Sequence, residues 1–66
     1  MTIDISLLRL PEVSRRTGLS RSTIYQRERD GGFPKHVKLS PRVSAWRSDE
    51  IAEFIEARTA EARSSQ

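Results

Sequence analysis

The sequence predicts one small, mainly helical domain that carries a single two-stranded β-hairpin. The chain has 66 residues, a length that suits one domain with one modest core. Two helix-like segments meet at a turn that contains Gly18, and a third such segment begins near Ser48. Between them, apolar and polar residues alternate on both sides of Pro41, as in two short strands.

The chain begins with a polar lead-in at residues 1–6, and we place the ordered core at about residues 7–62 of a single domain spanning 1–66. An apolar Leu-Leu-Arg-Leu stretch precedes Pro11, which suits a first helical residue because its missing N–H has no partner there. The first helix is brief, with Val13 facing the core. Gly18 ends it in the left-handed conformation.

The second helix is predicted from Arg21 to about Asp30, with Ser20 as its N-cap. Gly31 and Gly32 stop it. Ile24 turns inward and holds the helix on the core. Two helices joined through a glycine-containing turn make a helix-turn-helix candidate.

A hairpin follows, because Val37 and Leu39 alternate with a lysine as in a half-buried strand. Pro41 and Arg42 form its turn, and a second strand ends in Trp46, which we predict to be core. Ser48 then caps a third helix, whose Ile51, Phe54 and Ile55 form an apolar stripe. The order of helix, turn, helix, hairpin and helix is that of a winged helix-turn-helix.

Composition excludes several classes of site. The chain has no cysteine and one histidine, so disulfides and thiolate metal sites are excluded and we expect no metal and no cofactor. No apolar run approaches the roughly 20 residues of a membrane span. We therefore expect a soluble, intracellular protein without a membrane partner or a small-molecule ligand.

Charge is unevenly distributed along the chain, and this favours a polyanionic partner. Residues 1–47 hold ten Lys/Arg and four Asp/Glu, whereas residues 48–66 hold two Lys/Arg and five Asp/Glu. A basic body followed by an acidic last helix indicates one face that binds a polyanion such as double-stranded DNA.

The second helix is the predicted recognition helix, because its start is rich in hydrogen-bond donors without an acid–base partner. Four cations bracket the hairpin and are predicted to contact phosphates: Lys35, Lys38, Arg42 and Arg47. Arg42, at the tip, is predicted to lie on the backbone or in the minor groove. The alternative is a solvated, arginine-rich surface. The predicted DNA-binding residues are Ser20, Arg21, Ser22, Thr23, Gln26, Arg27, Lys35, Lys38 and Arg42.

Four further polar or aromatic residues are predicted to have structural or surface roles. Tyr25 either packs under the wing or offers its hydroxyl to a phosphate, and we favour packing. His36 is predicted to be an exposed strand residue. Arg15 and Arg16 are read as solubilising surface in preference to contacts with the DNA backbone.

Three segments together resemble the AlpA family of small phage and prophage transcriptional regulators: GLSRSTIY from Gly18, FPKHVKLSPR from Phe33, and the tryptophan with its capped helix at 46–54. That family resembles excisionase and MerR-type winged DNA-binding folds. The resemblance implies a DNA-binding regulator near integration and excision genes, located in the bacterial cytoplasm and associated with the nucleoid when bound. In the family, a segment like the first enters the recognition helix and a segment like the second forms the wing.

The sequence departs from the family pattern in two places. Apolar residues are usual in the second half of the recognition helix, where this chain has Arg27-Glu28-Arg29-Asp30. Burying Glu28 unpaired would be costly, so either that turn is exposed or Glu28 pairs with a neighbouring arginine. The last helix carries Phe54 where many relatives have a second tryptophan.

Three functions remain open from the sequence. The leading one is a sequence-specific transcriptional regulator, acting as a homodimer or a cooperative array because one small domain contacts only one half-site. An excisionase-type recombination directionality factor that bends attachment-site DNA would use the same contacts. A protein-binding adaptor or antirepressor would use the acidic last helix. An enzyme is not expected, because the sequence has no phosphate-binding glycine loop and no catalytic pairing.

Overall fold

The computed structural model describes residues 4–64 of the chain, so residues 1–3 of the predicted lead-in lie outside it. The described part forms three helices and a three-stranded antiparallel sheet. The strands are β1 (Leu7–Leu8), β2 (Val37–Ser40) and β3 (Val43–Arg47), and the helices are α1 (Leu10–Thr17), α2 (Arg21–Arg29) and α3 (Ser48–Ser64). The predicted winged helix-turn-helix class is confirmed.

The turn between α1 and α2 is built as the sequence predicts. Gly18 has a φ of 74°, and its N–H donates to the Ser14 carbonyl at 2.8 Å. Ser20 is the N-cap of α2, since its Oγ accepts a hydrogen bond from the Thr23 N–H at 3.3 Å. The second helix ends before Gly31, which has a φ of 86°. Both helix boundaries therefore follow from local backbone preferences.

The sheet has one more strand than the predicted two-stranded hairpin. β3 is central, with β2 on one side and β1 on the other. In β1, Leu7 pairs with Arg47 and Leu8 with Trp46. A two-residue strand is too short to show a period of two, and its partner lies far along the chain. Local sequence reading therefore missed it.

Ser48, at the start of α3, is hydrogen-bonded to the segment before β1, which differs from its predicted role as a helix cap. Its hydroxyl accepts a hydrogen bond from the Ser6 N–H at 2.8 Å, and its own N–H donates to the Ser6 carbonyl at 2.8 Å. At the start of α3, the Asp49 Oδ1 accepts from the Glu50 N–H at 2.9 Å. The serine hydroxyl thus extends the contact between β1 and β3.

The core contains side chains from the helices and from the sheet. Trp46 of β3 is 0% exposed, which confirms its predicted burial, and Ile24 of α2 is also 0% exposed. Phe54, predicted to be core, is partly buried and packs on Phe33 with ring centroids 4.6 Å apart. The buried cluster consists of Leu8, Val13, Ile24, Phe33, Trp46 and Ile51.

The predicted half-burial of β2 is wrong. Val37 and Leu39 are 40% and 49% exposed, and all four residues of the strand are exposed. The reason is its position, because β2 is an edge strand whose side chains do not join the buried cluster. The register also shifts between Lys38 and Ser40, so the alternation does not continue through the strand.

Candidate nucleic-acid interface

The exposed face of α2 carries several of the predicted contact residues. Arg21, Ser22 and Gln26 are exposed, while Thr23 and Arg27 are half-buried. Among the described residues, none forms a hydrogen bond or ion pair with the side chain of Ser22 or Gln26. This face therefore offers uncommitted donors and acceptors to a partner.

Two of the predicted contact residues have structural roles at the helix start. Ser20 Oγ donates to Thr23 Oγ1 at 2.9 Å and accepts from the Thr23 backbone N–H. These hydroxyls are engaged in capping, which orients the first turn of α2. Ser22, between them in sequence, points to solvent.

The hairpin presents its cations at the edge of the fold. Arg42 lies exposed in the two-residue turn between β2 and β3, as predicted. Lys38 Nζ donates to the Pro41 carbonyl at 3.1 Å, so this lysine braces the turn. Lys35 is exposed in the segment between α2 and β2.

Other cations pair with neighbouring carboxylates. Arg15 and Arg16 both pair with Glu12, and this pairing lowers the pKa of Glu12 from 4.5 to about 2. Arg47 forms two hydrogen bonds with Asp49, at 3.0 and 2.9 Å, and they lower the pKa of Asp49. These pairs support the interpretation of Arg15 and Arg16 as surface residues.

An open cleft brings Arg21 of α2 and Arg42 of the hairpin turn together, and adds Arg9, which sequence reasoning did not select. The cleft has a volume of about 290 Å³ and is lined by Arg9, Leu10, Pro11, Arg21, Tyr25, Arg42 and Ser44. Arg9 precedes α1 by one residue, and nothing in its local sequence signals a position beside the hairpin. Only the folded arrangement of three elements places it there.

Glu28 connects α2 to the segment that enters the hairpin. Its Oε2 accepts from the His36 backbone N–H at 2.9 Å and from the Trp46 indole N–H at 3.1 Å. Its Oε1 lies 2.8 Å from His36 Nδ1, and the Glu28 side chain is 10% exposed. Arg29 and Asp30 of this turn are exposed, but Glu28 itself is half-buried. The predicted pairing of Glu28 with an arginine is wrong, because its partners are His36 and Trp46.

His36 and Tyr25 complete this contact between the two elements. His36 is half-buried and precedes β2, so its prediction as an exposed strand residue is wrong. The Tyr25 ring lies 6.0 Å from the Trp46 ring and 6.3 Å from the His36 ring, between centroids. The favoured interpretation of Tyr25 as a packing residue agrees with these contacts. Aromatic and hydrogen-bonded contacts together fix the angle between α2 and the hairpin.

The described residues contain no group of three or more histidine, aspartate or glutamate side chains arranged to hold a metal ion. Within the same residues, no helix is long and apolar enough to cross a membrane.

Comparison with known proteins identifies the family of the chain. The family model described as prophage CP4-57 regulatory protein (AlpA) matches residues 6–59. An uncharacterized protein of Enterobacteria phage P4, ORF88, is 45% identical over 53 residues, which cover 80% of this chain and 60% of that relative. The resemblance drawn from the sequence is confirmed. The chain therefore belongs to the AlpA family of prophage regulatory proteins.

Proposed function

We propose that the chain is a sequence-specific, double-stranded DNA-binding transcriptional regulator associated with a prophage and acting in the bacterial cytoplasm. In this proposal α2 lies in the major groove, and the hairpin of β2 and β3 lies against the backbone or the minor groove. Membership of a family of prophage regulatory proteins supports the regulatory role.

The observation that carries the proposal is the uncommitted polar face of α2. Ser22 and Gln26 are exposed, whereas Ile24 on the opposite side is 0% exposed and anchors the helix. Glutamine can pair in bidentate fashion with adenine, and a serine hydroxyl can contact any base. An α-helix with its side chains is about 10–12 Å across, so α2 fits into a major groove about 12 Å wide.

The hairpin supports the same orientation. Arg42 projects from a short turn, and the Glu28 contacts hold the hairpin and α2 as one unit. A cation held at a fixed distance from the recognition helix can contact a phosphate beside the groove. Lys35, Lys38 and Arg27 would add phosphate contacts along the same surface.

Each chain offers one recognition helix, so we propose that two or more copies act together on repeated sites. A homodimer or a cooperative array would multiply the few base contacts that one copy makes. DNA protection should then extend over repeated short sequences spaced by about one helical turn, 10–10.5 base pairs.

A binding titration against duplexes that flank the protein's own gene and nearby integrase genes tests the proposal. Scrambled duplexes of equal length and composition are the control, at physiological salt. Preference for one fragment, with a footprint on a short repeated sequence, is the expected result. Equal affinity for all duplexes would refute sequence-specific binding.

The same fragments separate the alternative functions. Strong bending of an attachment-site fragment, measured by circular permutation, would favour a recombination directionality factor. Absence of binding to every fragment, combined with capture of a protein that depends on the acidic residues of α3, would favour an adaptor. Charge reversal at Arg42 should abolish function only if DNA is the partner.

A further inference from the structure

Three arginines line the cleft between the starts of α1 and α2 and the hairpin turn. Arg9 comes from the N-cap position of α1, Arg21 from the first residue of α2, and Arg42 from the turn between β2 and β3. The remaining lining residues are Leu10, Pro11, Tyr25 and Ser44. No carboxylate lines this cleft.

None of the three arginines has an acidic partner among the described residues, in contrast to other arginines of this small domain. Arg15 and Arg16 pair with Glu12, and Arg47 pairs with Asp49. Three uncompensated positive charges at one cleft repel one another, and an anion between them would relieve that repulsion. The charge of the cleft therefore favours a negatively charged ligand.

The walls of the cleft are held in place by the fold. The Arg21 guanidinium lies over the Tyr25 ring, 5.8 Å from its centroid, and Tyr25 packs against the buried Trp46. The Arg9 carbonyl accepts the N–H groups of Glu12 and Val13 at 3.1 and 3.0 Å, which fixes the backbone at that corner. Preorganised cations lose less conformational freedom when a ligand binds.

We infer that this cleft binds a phosphate group, supplied by the DNA backbone at the border of the groove that α2 enters. The inference rests on the proposed function for the source of the phosphate. Guanidinium groups match phosphate oxygens in bidentate fashion, and they are preferred where a phosphate is recognised in a fixed geometry. Ser44 adds a hydroxyl donor at the same cleft.

A role for Arg21 follows that differs from the base contact predicted from the sequence. At the cleft, its guanidinium contacts a phosphate and positions the start of α2, while Ser22 and Gln26 face the base edges. Arg9, Arg21 and Arg42 then act as one group on a single phosphate, and their substitutions should be non-additive.

The experiment replaces individual phosphates of the footprinted duplex by uncharged methylphosphonates and measures binding of Arg9→Ala, Arg42→Ala and the wild type. Arg63→Ala is the matched control, because Arg63 is exposed on α3 and its substitution removes the same charge away from the cleft. Each cleft substitution should weaken binding to the unmodified duplex about tenfold, the scale of one charged hydrogen bond. On the duplex lacking the contacted phosphate, the cleft variants and the wild type should bind alike. Arg9→Gln and Arg42→Gln serve as second variants if thermal unfolding shows that an alanine variant does not fold.

Three results would overturn or redirect the inference. If the cleft variants bind unmodified DNA as Arg63→Ala does, the cleft is refuted while the DNA-binding function stands. If they lose the same affinity on every methylphosphonate duplex, they act through overall charge and the cleft is again refuted. If the wild type binds no duplex, the proposed function fails, and an NMR titration with inorganic phosphate tests the cleft separately. Shifts of the Nε–H resonances of Arg9, Arg21 and Arg42 that chloride does not cause would show that the cleft binds free phosphate. The absence of such shifts would refute the cleft as a phosphate site.

Discussion

At the scale of single residues, Glu28 shows how a side chain that breaks a sequence pattern can be accommodated by its surroundings. It occupies a stretch of α2 where the resemblance led us to expect apolar residues, yet its carboxylate accepts hydrogen bonds from the His36 backbone and the Trp46 indole. A buried acceptor with donors from two other elements costs little and fixes their relative position. The donors were present in the sequence, but their approach to Glu28 depends on the folded chain.

We predict that Glu28→Ala lowers the free energy of unfolding by about 1–3 kcal/mol, because it leaves the Trp46 indole N–H and the His36 N–H without their acceptor. Denaturant unfolding followed by tryptophan fluorescence measures the change. Glu56→Ala, which removes an exposed carboxylate of α3, is the control and should change stability by less than about 0.5 kcal/mol. Equal stabilities of the two variants would contradict this role of Glu28.

Glu12 provides a prediction about acid stability. Its pKa falls from 4.5 to about 2 because Arg15 and Arg16 hydrogen-bond its charged form. The unfolded chain therefore binds more protons between these two values, so the stability that Glu12 contributes is complete above 4.5 and is lost as the pH falls toward about 2. The contribution is small because the pairs are exposed to solvent.

A pH titration of the Glu12 side-chain carboxyl carbon by NMR tests this directly. The expected midpoint lies well below 4.5, and Arg15→Ala together with Arg16→Ala should return it toward that value. Glu53, an exposed carboxylate on α3, is titrated in the same experiment as an internal comparison. A Glu12 midpoint that is unchanged by the double substitution would refute the assigned cause.

At the scale of elements, the sequence identified helices better than strands. The glycine at 18, the cap at Ser20 and the glycines at 31 and 32 are local signals, and each marks a boundary in the structure. The strand β1 and the exposure of β2 depend on which strands become neighbours and on what covers the sheet. Pairing across some forty residues leaves no periodic signal in a two-residue strand.

The capping assignment of α2 leads to a prediction that separates stability from binding. Ser20→Ala should lower the free energy of unfolding by about 0.5–2 kcal/mol, since the Thr23 N–H loses its acceptor. Ser22→Ala is the matched comparison, because the same hydroxyl is removed from an exposed position two residues later. We expect Ser22→Ala to leave the thermal midpoint nearly unchanged and to weaken binding to the preferred duplex. The reverse pattern would show that the roles of the two serines are interchanged.

At the scale of the whole molecule, the candidate interface combines residues that the sequence selected with others that only the fold brings near them. Arg21 and Arg42 were chosen for their residue types and local positions, and they line one cleft although two different elements carry them. Arg9 joins them from the start of α1, and its sequence neighbours give no indication of this. Charge pairing is also a property of the fold. Arg15, Arg16 and Arg47 have carboxylate partners, whereas the arginines of the cleft have none among the described residues.

The division of the surface into a polar helix face and a cationic cleft predicts two different binding phenotypes. Gln26→Ala should cost about 1–3 kcal/mol on the preferred duplex and little on a scrambled duplex, because it removes a base contact. Arg42→Ala should weaken binding to both duplexes alike and reduce the slope of log K against log salt by at most about 0.9, the value for one phosphate on B-DNA, because Arg9 and Arg21 remain at the cleft. Titrations of both variants on both duplexes at several salt concentrations measure affinity, specificity and slope together. A loss of specificity in Arg42→Ala, or a changed salt slope in Gln26→Ala, would show that the helix face and the hairpin turn do not divide base reading and phosphate binding between them.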